Sequence, residues 1–541
     1  MKPAIVATGA GSGIGCKFAS RPARFNAVRR VATFRGPGFE ALGRLVDALS
    51  HPARQHLAAL GVVLVYAILW ALYEVVAKSS QGITADMGEM LIWARELALG
   101  YPKHPPFLAW LLRAWFTIFP FEDWAYYLLS AVNLAAGLYV AFVLAGEWLD
   151  GPKRAVVLFL LAVIPFYNFH GLKFDQNSAL IPLWGLTIWT FVRSLETRHG
   201  GYAALAGLLS ALSLLTKYWS VFLLLGLGLA ALLDRRRNAY FRSPAPYISA
   251  LVGAAALAPH IYWLVREHFP PLVWVVTRRT SQSVFDALDS LTEYSAGTLG
   301  YAGVAIILVL LFVQPSWAGL RDGLFPRERN RRTAAILFWA PLLVPIPVAF
   351  ATHTNLLSLW NTPALNLLPV VLLGSTLVTA TRDQVTRVAA VAISVMILAL
   401  IASPIVALAT LRTGVGNYAA YARPLAQALD HEWKASTDRP LRILAGPFAL
   451  ASSAAMYIPD RPATFADFSP YLSPWVDNER IAREGLAIAC PAAENWCVDM
   501  MRALTAKRQG LHKLDVELTP HWLGFEGMPQ RFTIAVIPPP A

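Results

Sequence analysis

A mainly α-helical, polytopic membrane protein carrying a small α/β domain at its C-terminal end is the fold class this sequence predicts, on three observations. Hydrophobic residues are 56% of the 541 and charged residues 15%, with a mean hydropathy of +0.48, values foreign to an ordinary soluble chain. Apolar runs long enough to cross a hydrocarbon core recur from Leu57 onward. Beyond Leu411 those runs stop and the composition becomes that of a soluble domain.

Residues 1–56 read as a basic, disordered tail. Thr8 to Gly15, TGAGSGIG, is glycine-rich like a dinucleotide-binding turn, but such a turn works only between a strand and a helix of a parallel sheet. Here it runs into Arg21, Arg24, Arg29, Arg30 and Arg35, so a dehydrogenase reading fails. The apolar run begins too late and is too long for a signal peptide.

About eleven spans follow by the criterion of roughly twenty apolar residues. They fall near 57–77, 123–147, 154–170, 178–195, 202–217, 219–233, 245–265, 298–314, 334–351, 358–379 and 388–411. The net charge of +13 does not point to nucleic acid, because the bases sit in short loops between apolar runs. Lys153, Arg154, Arg193, Arg198, Arg235 to Arg237, Arg242, Arg327 to Arg332, Arg382 and Arg387 all fall on one side if the tail is cytoplasmic. Loops 78–122, 171–177, 266–297 and 352–357, the Lys217-Tyr218 turn and all of 412–541 then fall on the other. The expected setting is a bacterial inner membrane, with the active face and the C-terminal domain in the periplasm.

The first outer loop is too polar and broken to be a span. Met87 to Leu99 reads as a helix with Met87, Met90, Leu91, Ala94 and Leu97 on one face, suited to lying on a membrane surface, and Gly100 stops it. Phe107 to Phe119 gives a second helix after Pro105 and Pro106. Asp86 opens the loop, Glu89 follows, and Lys103 and His104 precede the prolines. Asp86 alternatively caps the first helix.

This loop, an Asp soon after the first span, the aromatic Trp93, Gly100-Tyr101 and then Lys103-His104-Pro105-Pro106, resembles that of the GT-C glycosyltransferases using polyprenyl-phosphate sugars, which include bacterial protein mannosyltransferases and the lipid A aminoarabinose transferase. The resemblance covers roughly residues 57–380. It implies a GT-C-type bundle over 57–411 and an inverting transfer of a sugar from a polyprenyl-phosphate donor to an envelope glycan, lipid or protein. Many relatives place a second acid directly after the Asp; this chain has Met87 there, which leaves open whether Glu89 takes part or helps hold a divalent metal.

That chemistry requires a base for the acceptor proton and cations for the leaving phosphate. Asp86 is the expected base. Asp175, in FHGLKFDQNS, is a second acid or alternatively the N-cap of the helix after it, and Lys173 beside it serves phosphate or marks the interface. Lys103, His104, Lys217 with Tyr218, Arg278, Arg279 and His353 are the expected binding residues for the donor. Arg278 and Arg279 lie on the face where bases are scarce, which favours an anionic ligand. Lys217 alternatively only snorkels. Asn355, Trp360 and Asn361 resemble a late outer-loop motif, whereas His260 and His268 read as interface histidines.

In the C-terminal region Leu441 to Leu444, Leu486 to Ala489 and Phe532 to Ile537 read as strands and Ala419 to Lys434 as a helix. Cys490 and Cys497 are close enough to pair in an oxidising compartment. The rival function is a transporter or lipid flippase, which predicts repeated halves and charges near mid-membrane rather than on one face.

Overall fold

The computed structural model describes residues 36–279, 284–413, 418–506 and 512–540. The Thr8 to Gly15 turn, Cys16 and the arginines through Arg35 lie outside the described residues.

The tail reading gives way at Pro37. Helix α1 (Pro37–Ser50) opens on that proline and buries Gly43, Val46 and Leu49, a three-residue stripe masked in the composition by the bases upstream. Arg382 holds α1 from outside through Glu40 at 3.3 Å and Asp47 at 3.0 Å.

Each of the eleven apolar stretches contains helix. Seven helices among the described residues are long and apolar enough to cross a membrane, including α2 (Gln55–Ala77), and shorter apolar helices, among them Gly200–Thr216, Tyr218–Leu233 and Ser358–Leu373, lie among them. Proline accounts for much of the shortening. Helix α6 (Gly151–Ala162) stops before a 3-10 turn at Pro165–Tyr167, and the 358–379 stretch is 3-10 through Leu367 around Pro363. A continuous apolar core runs through the bundle, with Trp70, Phe142, Leu160, Trp184 and Leu337 fully enclosed. Helix α5 (Asp123–Ala145) packs on both α2 and α7 (Gln176–Thr197).

The two ends of α2 differ. Near its start, basic loops pair with acids and carbonyls: Arg331 with Asp322 at 2.7 Å, Arg236 with Glu196 at 3.0 Å and Lys153 with the Ser375 carbonyl at 2.9 Å. At its far end lie α3 (Ala85–Glu96), α4 (Phe107–Ile118) and the C-terminal unit.

Helix α3 ends three residues earlier than Gly100 suggests, because Leu97 turns left-handed (φ 31°). Its apolar face does not lie on a membrane surface. Met87, Met90, Leu91 and Ala94 are buried with Tyr101, Leu108, Leu112 and Tyr126 in a core of their own.

The C-terminal unit is built on strands β1 (Ile443–Gly446), β2 (Ala463–Ala466), β3 (Leu486–Pro491) and β4 (His512–Leu518), the short β5 (His521–Trp522) and β6 (Phe525–Glu526), and β7 (Gln530–Ile537). The main sheet runs β2-β1-β3-β7-β4, parallel from β2 to β3 and antiparallel thereafter. Helix Ala422–Ser436 covers one face through Leu425, Leu429 and Trp433, and Cys490 and Cys497 are joined on the other, Cα atoms 5.7 Å apart.

This unit is clamped onto the bundle. Tyr457 Oη accepts from the Ile83 N–H at 2.8 Å and donates to Asp123, which also pairs with Arg423. The Ala419 carbonyl accepts from the Gly82 N–H at 2.8 Å. Where helix Phe448–Ala454 crosses α3 the backbones nearly touch: a Cβ on Gly88 would stand 2.3 Å from the Ser452 carbonyl oxygen. Gly88→Ala is therefore expected to separate the C-terminal unit from α3 and to lower stability by roughly 1–3 kcal/mol, the usual cost of overpacking. Thermal unfolding of the purified variant beside Gly61→Ala, whose Cβ would meet open space, checks this.

Candidate active site

Asp86 is the second residue of α3, two positions past its N-cap Thr84, so it does not cap the helix. Its carboxylate is 56% exposed, and one oxygen lies 3.5 Å from Lys173 Nζ. The same ammonium is 3.9 Å from Asp175. Lys173, 87 residues from Asp86 in the sequence, thus bridges the two acids singled out from the sequence.

Asp175 differs from the expectation of an active-site acid. It is 5% exposed and caps α7: Oδ1 accepts from the Asn177 and Ser178 N–H groups at 2.9 Å each, and Ser178 Oγ accepts from the Asp175 N–H in return. Oδ2 takes Asn177 Nδ2 at 3.3 Å. With both oxygens engaged, it is built to fix the start of α7 and to orient Lys173.

Asn177 continues the chain of contacts. Its Oδ1 accepts from Lys217 Nζ at 2.6 Å, and that ammonium sits 4.8 Å from the Trp360 ring centroid. Lys217 is therefore turned toward the acids rather than only toward an interface. Tyr218 points elsewhere, bonding His260 Nε2 at 2.8 Å, while His260 Nδ1 bonds the Leu99 carbonyl at 2.6 Å. His260, read from sequence as an interface histidine, is 3% exposed and ties its helix to the loop that carries Lys103. A single histidine in an apolar run gives no sign of such a partner. Trp263 stacks on it and lies against Gly100, where a Cβ would fall 2.2 Å from the indole.

The Gly100 to Pro106 turn is held by Trp93. Tyr101 stacks on that indole at 4.8 Å and donates to the Trp93 carbonyl at 2.6 Å, and His104 tilts against the same ring at 6.0 Å. Burial first, then the Lys217 and Lys103 cations, push His104 down to about 3, so it is a neutral imidazole at physiological pH.

Lys103 meets Glu89 at 2.8 Å and lies 4.0 Å from the Phe448 ring, with the Trp274 ring at 6.0 Å. Burial raises the Glu89 carboxyl above its ordinary pKa, the Lys103 ammonium draws it back, and Asp86 and Asp467 add to the rise. Lys103 is thus neutralised by a protein carboxylate. Glu89 has this lysine as its partner, and no group of three or more His, Cys, Asp or Glu stands together as a metal site among the described residues.

Trp274 also stacks at 6.0 Å with Arg278, which is exposed on helix Pro270–Arg279. The side chain of Arg279 lies outside the described residues. His353 is exposed in a left-handed conformation (φ 51°) at the end of helix Pro345–Thr352, and it shares no hydrogen bond or ion pair with the residues above among those described. From its loop it is Trp360 that reaches the cluster. Trp274 and Phe448 were not foreseen, because nothing in their neighbouring sequence marks them.

An exposed carboxylate at Asp86, a lysine spanning to a buried second acid, and cations at Lys217 and Arg278 beside indole rings form one face, able to take a proton and hold an anion. A transporter's repeated mid-membrane charges are not its pattern.

The chain is similar to known proteins to different depths. A family model described as dolichyl-phosphate-mannose-protein mannosyltransferase matches residues 103–263. The lipopolysaccharide core galacturonosyltransferase RgtB of Rhizobium johnstonii is 26% identical over 424 residues, covering 74% of this chain and 82% of that protein. The lipid A galacturonosyltransferase RgtD of the same organism is 28% identical over 187 residues, 33% of this chain and 37% of that protein. Among solved structures, ArnT from Cupriavidus metallidurans bound to undecaprenyl phosphate superposes with a TM-score of 0.57 at 14% identity, over 88% of this chain and 97% of that one. Together with the helical bundle and its appended sheet unit, these similarities show that the chain shares the ArnT fold and is similar in sequence to glycosyltransferases.

Proposed function

We propose that this protein transfers a sugar, galacturonate being the leading candidate, from a polyprenyl-phosphate carrier to the lipid A or core region of lipopolysaccharide, with inversion at the sugar carbon. The observation that carries the reading is the Lys173 bridge, which leaves Asp86 as the accessible carboxylate at the centre of a cationic, aromatic-lined face. The galacturonosyl activity named for RgtB and RgtD supports the sugar and acceptor, and the undecaprenyl phosphate in the ArnT structure supports the carrier.

In this mechanism Asp86 accepts the proton of the acceptor hydroxyl as its oxygen attacks the anomeric carbon. The bond from that carbon to the phosphate oxygen breaks with its electron pair leaving on the carrier phosphate. Lys217 and Arg278 stabilise that departing charge, and Lys173 orients the Asp86 carboxylate. Neutral His104 is a hydrogen-bonding group here and not a cation.

The basic loops near the start of α2 and the placement of the site at its other end support an inner-membrane orientation with the basic end in the cytoplasm and the C-terminal unit in the periplasm. On this reading residues 57–411 form the catalytic domain and 412–541 a periplasmic domain.

Asp86→Asn is expected to reduce transfer from a synthetic polyprenyl-phosphate galacturonate by at least about 10²-fold with unfolding temperature unchanged, since the amide keeps the shape and loses the base. Wild-type turnover in that variant removes Asp86 from the role. Lys217→Gln and Arg278→Gln should each weaken donor use by about one to two powers of ten, from roughly 1.5–3 kcal/mol per charge-assisted contact. Donor titrations that overlay the wild type would place the phosphate elsewhere.

Lys103 separates from that pair. Lys103→Met leaves the Glu89 carboxylate enclosed and unpaired, a loss of about 3–5 kcal/mol in stability. The double change with Glu89→Gln should recover most of it, as read by thermal unfolding. A Lys103→Met protein of normal stability with impaired donor binding would instead make Lys103 a phosphate ligand.

A further inference from the structure

Helix α3 has a second face. At 100° per residue Asp86, Glu89 and Trp93 share one side, while Gly88, Leu91, Ile92 and Arg95 share the other. That other side lines a cavity of about 440 Å³ closed by α4 and by the Ser452 to Pro462 segment of the C-terminal unit. The cavity lies behind α3 as viewed from the acids, apart from the site described above.

Its lining combines two chemistries. Arg95, Arg113 and Arg461 bring three guanidinium groups to it, and none of the three forms an ion pair among the described residues. Arg95 Nη1 is buried without a hydrogen-bond partner. Arg461 is held in a left-handed backbone conformation (φ 49°) with its guanidinium 4.1 Å from the Phe121 ring. The one acid in the lining, Asp460, has an oxygen committed to the Leu441 N–H at 2.8 Å. The remaining walls are apolar, with Leu112 and Phe116 from α4 and Met456 opposite. Near its end α4 exposes Ile118 at 78%, so one wall belongs to an apolar helix with uncovered surface.

Three guanidinium groups share this space with a single lining carboxylate and repel one another; burial depresses Arg95 first, Glu96 draws it back, and Arg442, Arg480 and Arg461 act with the burial. An oxyanion supplies the missing countercharge and a partner for the Arg95 N–H. The apolar walls call for hydrocarbon attached to it.

We propose that this cavity binds the phosphate headgroup of a lipid, with Arg95, Arg113 and Arg461 on the phosphate and Leu112, Phe116 and Met456 along the first part of its apolar chain. The site is separate from the one assigned to the donor phosphate. The inference rests on the membrane setting and does not depend on the sugar transferred. Its chemistry is met by a phosphorylated acceptor glycolipid and by a bilayer phospholipid alike.

The test is binding to the full-length protein in zwitterionic nanodiscs, with four probes: phosphorylated lipid A, the same lipid A after phosphatase treatment, phosphatidylglycerol and inorganic phosphate. Phosphorylated lipid should bind at least tenfold more tightly than its dephosphorylated form, and Arg95→Gln combined with Arg461→Gln should erase the difference. Arg95→Lys should retain part of it, and thermal unfolding of each variant reports whether the fold is intact. Preference for lipid A over phosphatidylglycerol identifies the occupant as acceptor, and equal binding identifies a bilayer lipid; both support the site. Equal affinity of wild type and double variant for phosphorylated lipid overturns the proposal, as does inorganic phosphate binding as tightly as the lipids. Failure of sugar transfer in the wild type would count against the proposed function and leave this binding result standing.

Discussion

The enclosure of α3 is the constraint on which the remainder depends. A twelve-residue helix with too little apolar length to span and too much to lie in water is held between the bundle and the C-terminal unit, at a backbone approach that only Gly88 permits. Burying Met87, Met90 and Leu91 fixes the rotation of the helix, since each apolar side chain has one enclosed direction to occupy. Rotation then decides everything the helix presents. Asp86 and Glu89 face the loops from the other spans, and Arg95 faces the cavity behind.

The same enclosure couples the two halves of the chain chemically. Phe448, at the start of the helix that crosses α3, lies on the Lys103 ammonium, and Tyr457 bonds both the Ile83 N–H and Asp123. The C-terminal unit therefore shapes the loop it covers and is more than an appendage. Cation–π contacts of this kind are worth about 0.5–2 kcal/mol each depending on desolvation, enough to bias a loop conformation without locking it.

Charge on the active face is arranged in graded steps of exposure. Asp86 is open, Lys173 half-exposed, Asp175 enclosed and satisfied by two N–H groups and an amide. An exposed ion pair contributes little to stability, about 0–1 kcal/mol. The value of the Lys173 bridge lies instead in position, because it ties an acid on α3 to the cap of α7. Lys217 extends the series through Asn177, so that one capping segment, residues 175–177, orients two of the lysines beside the base.

Much of this was determined by the sequence alone. Membrane spans announce themselves because every residue facing hydrocarbon must be apolar and every backbone group satisfied within its helix, so composition and periodicity suffice. Asp86, Asp175, Lys103 and Lys217 stood out as charged residues in the loops and at the ends of such runs, and three strands of the C-terminal sheet were visible as short apolar stretches. What the tertiary structure decided were the partnerships. It made Asp175 a cap, gave Lys103 to Glu89, left His353 exposed and unconnected to the cluster, and brought in Trp274, Phe448 and His260. It also recovered α1 from an apparently featureless tail and moved the apolar face of α3 from a membrane surface into the protein. The physical reason is common to all of these. A residue's polarity is local and legible, whereas which groups neutralise or cover it depends on contacts between segments tens to hundreds of residues apart, as Lys173 with Asp86 and Tyr457 with Asp123 show.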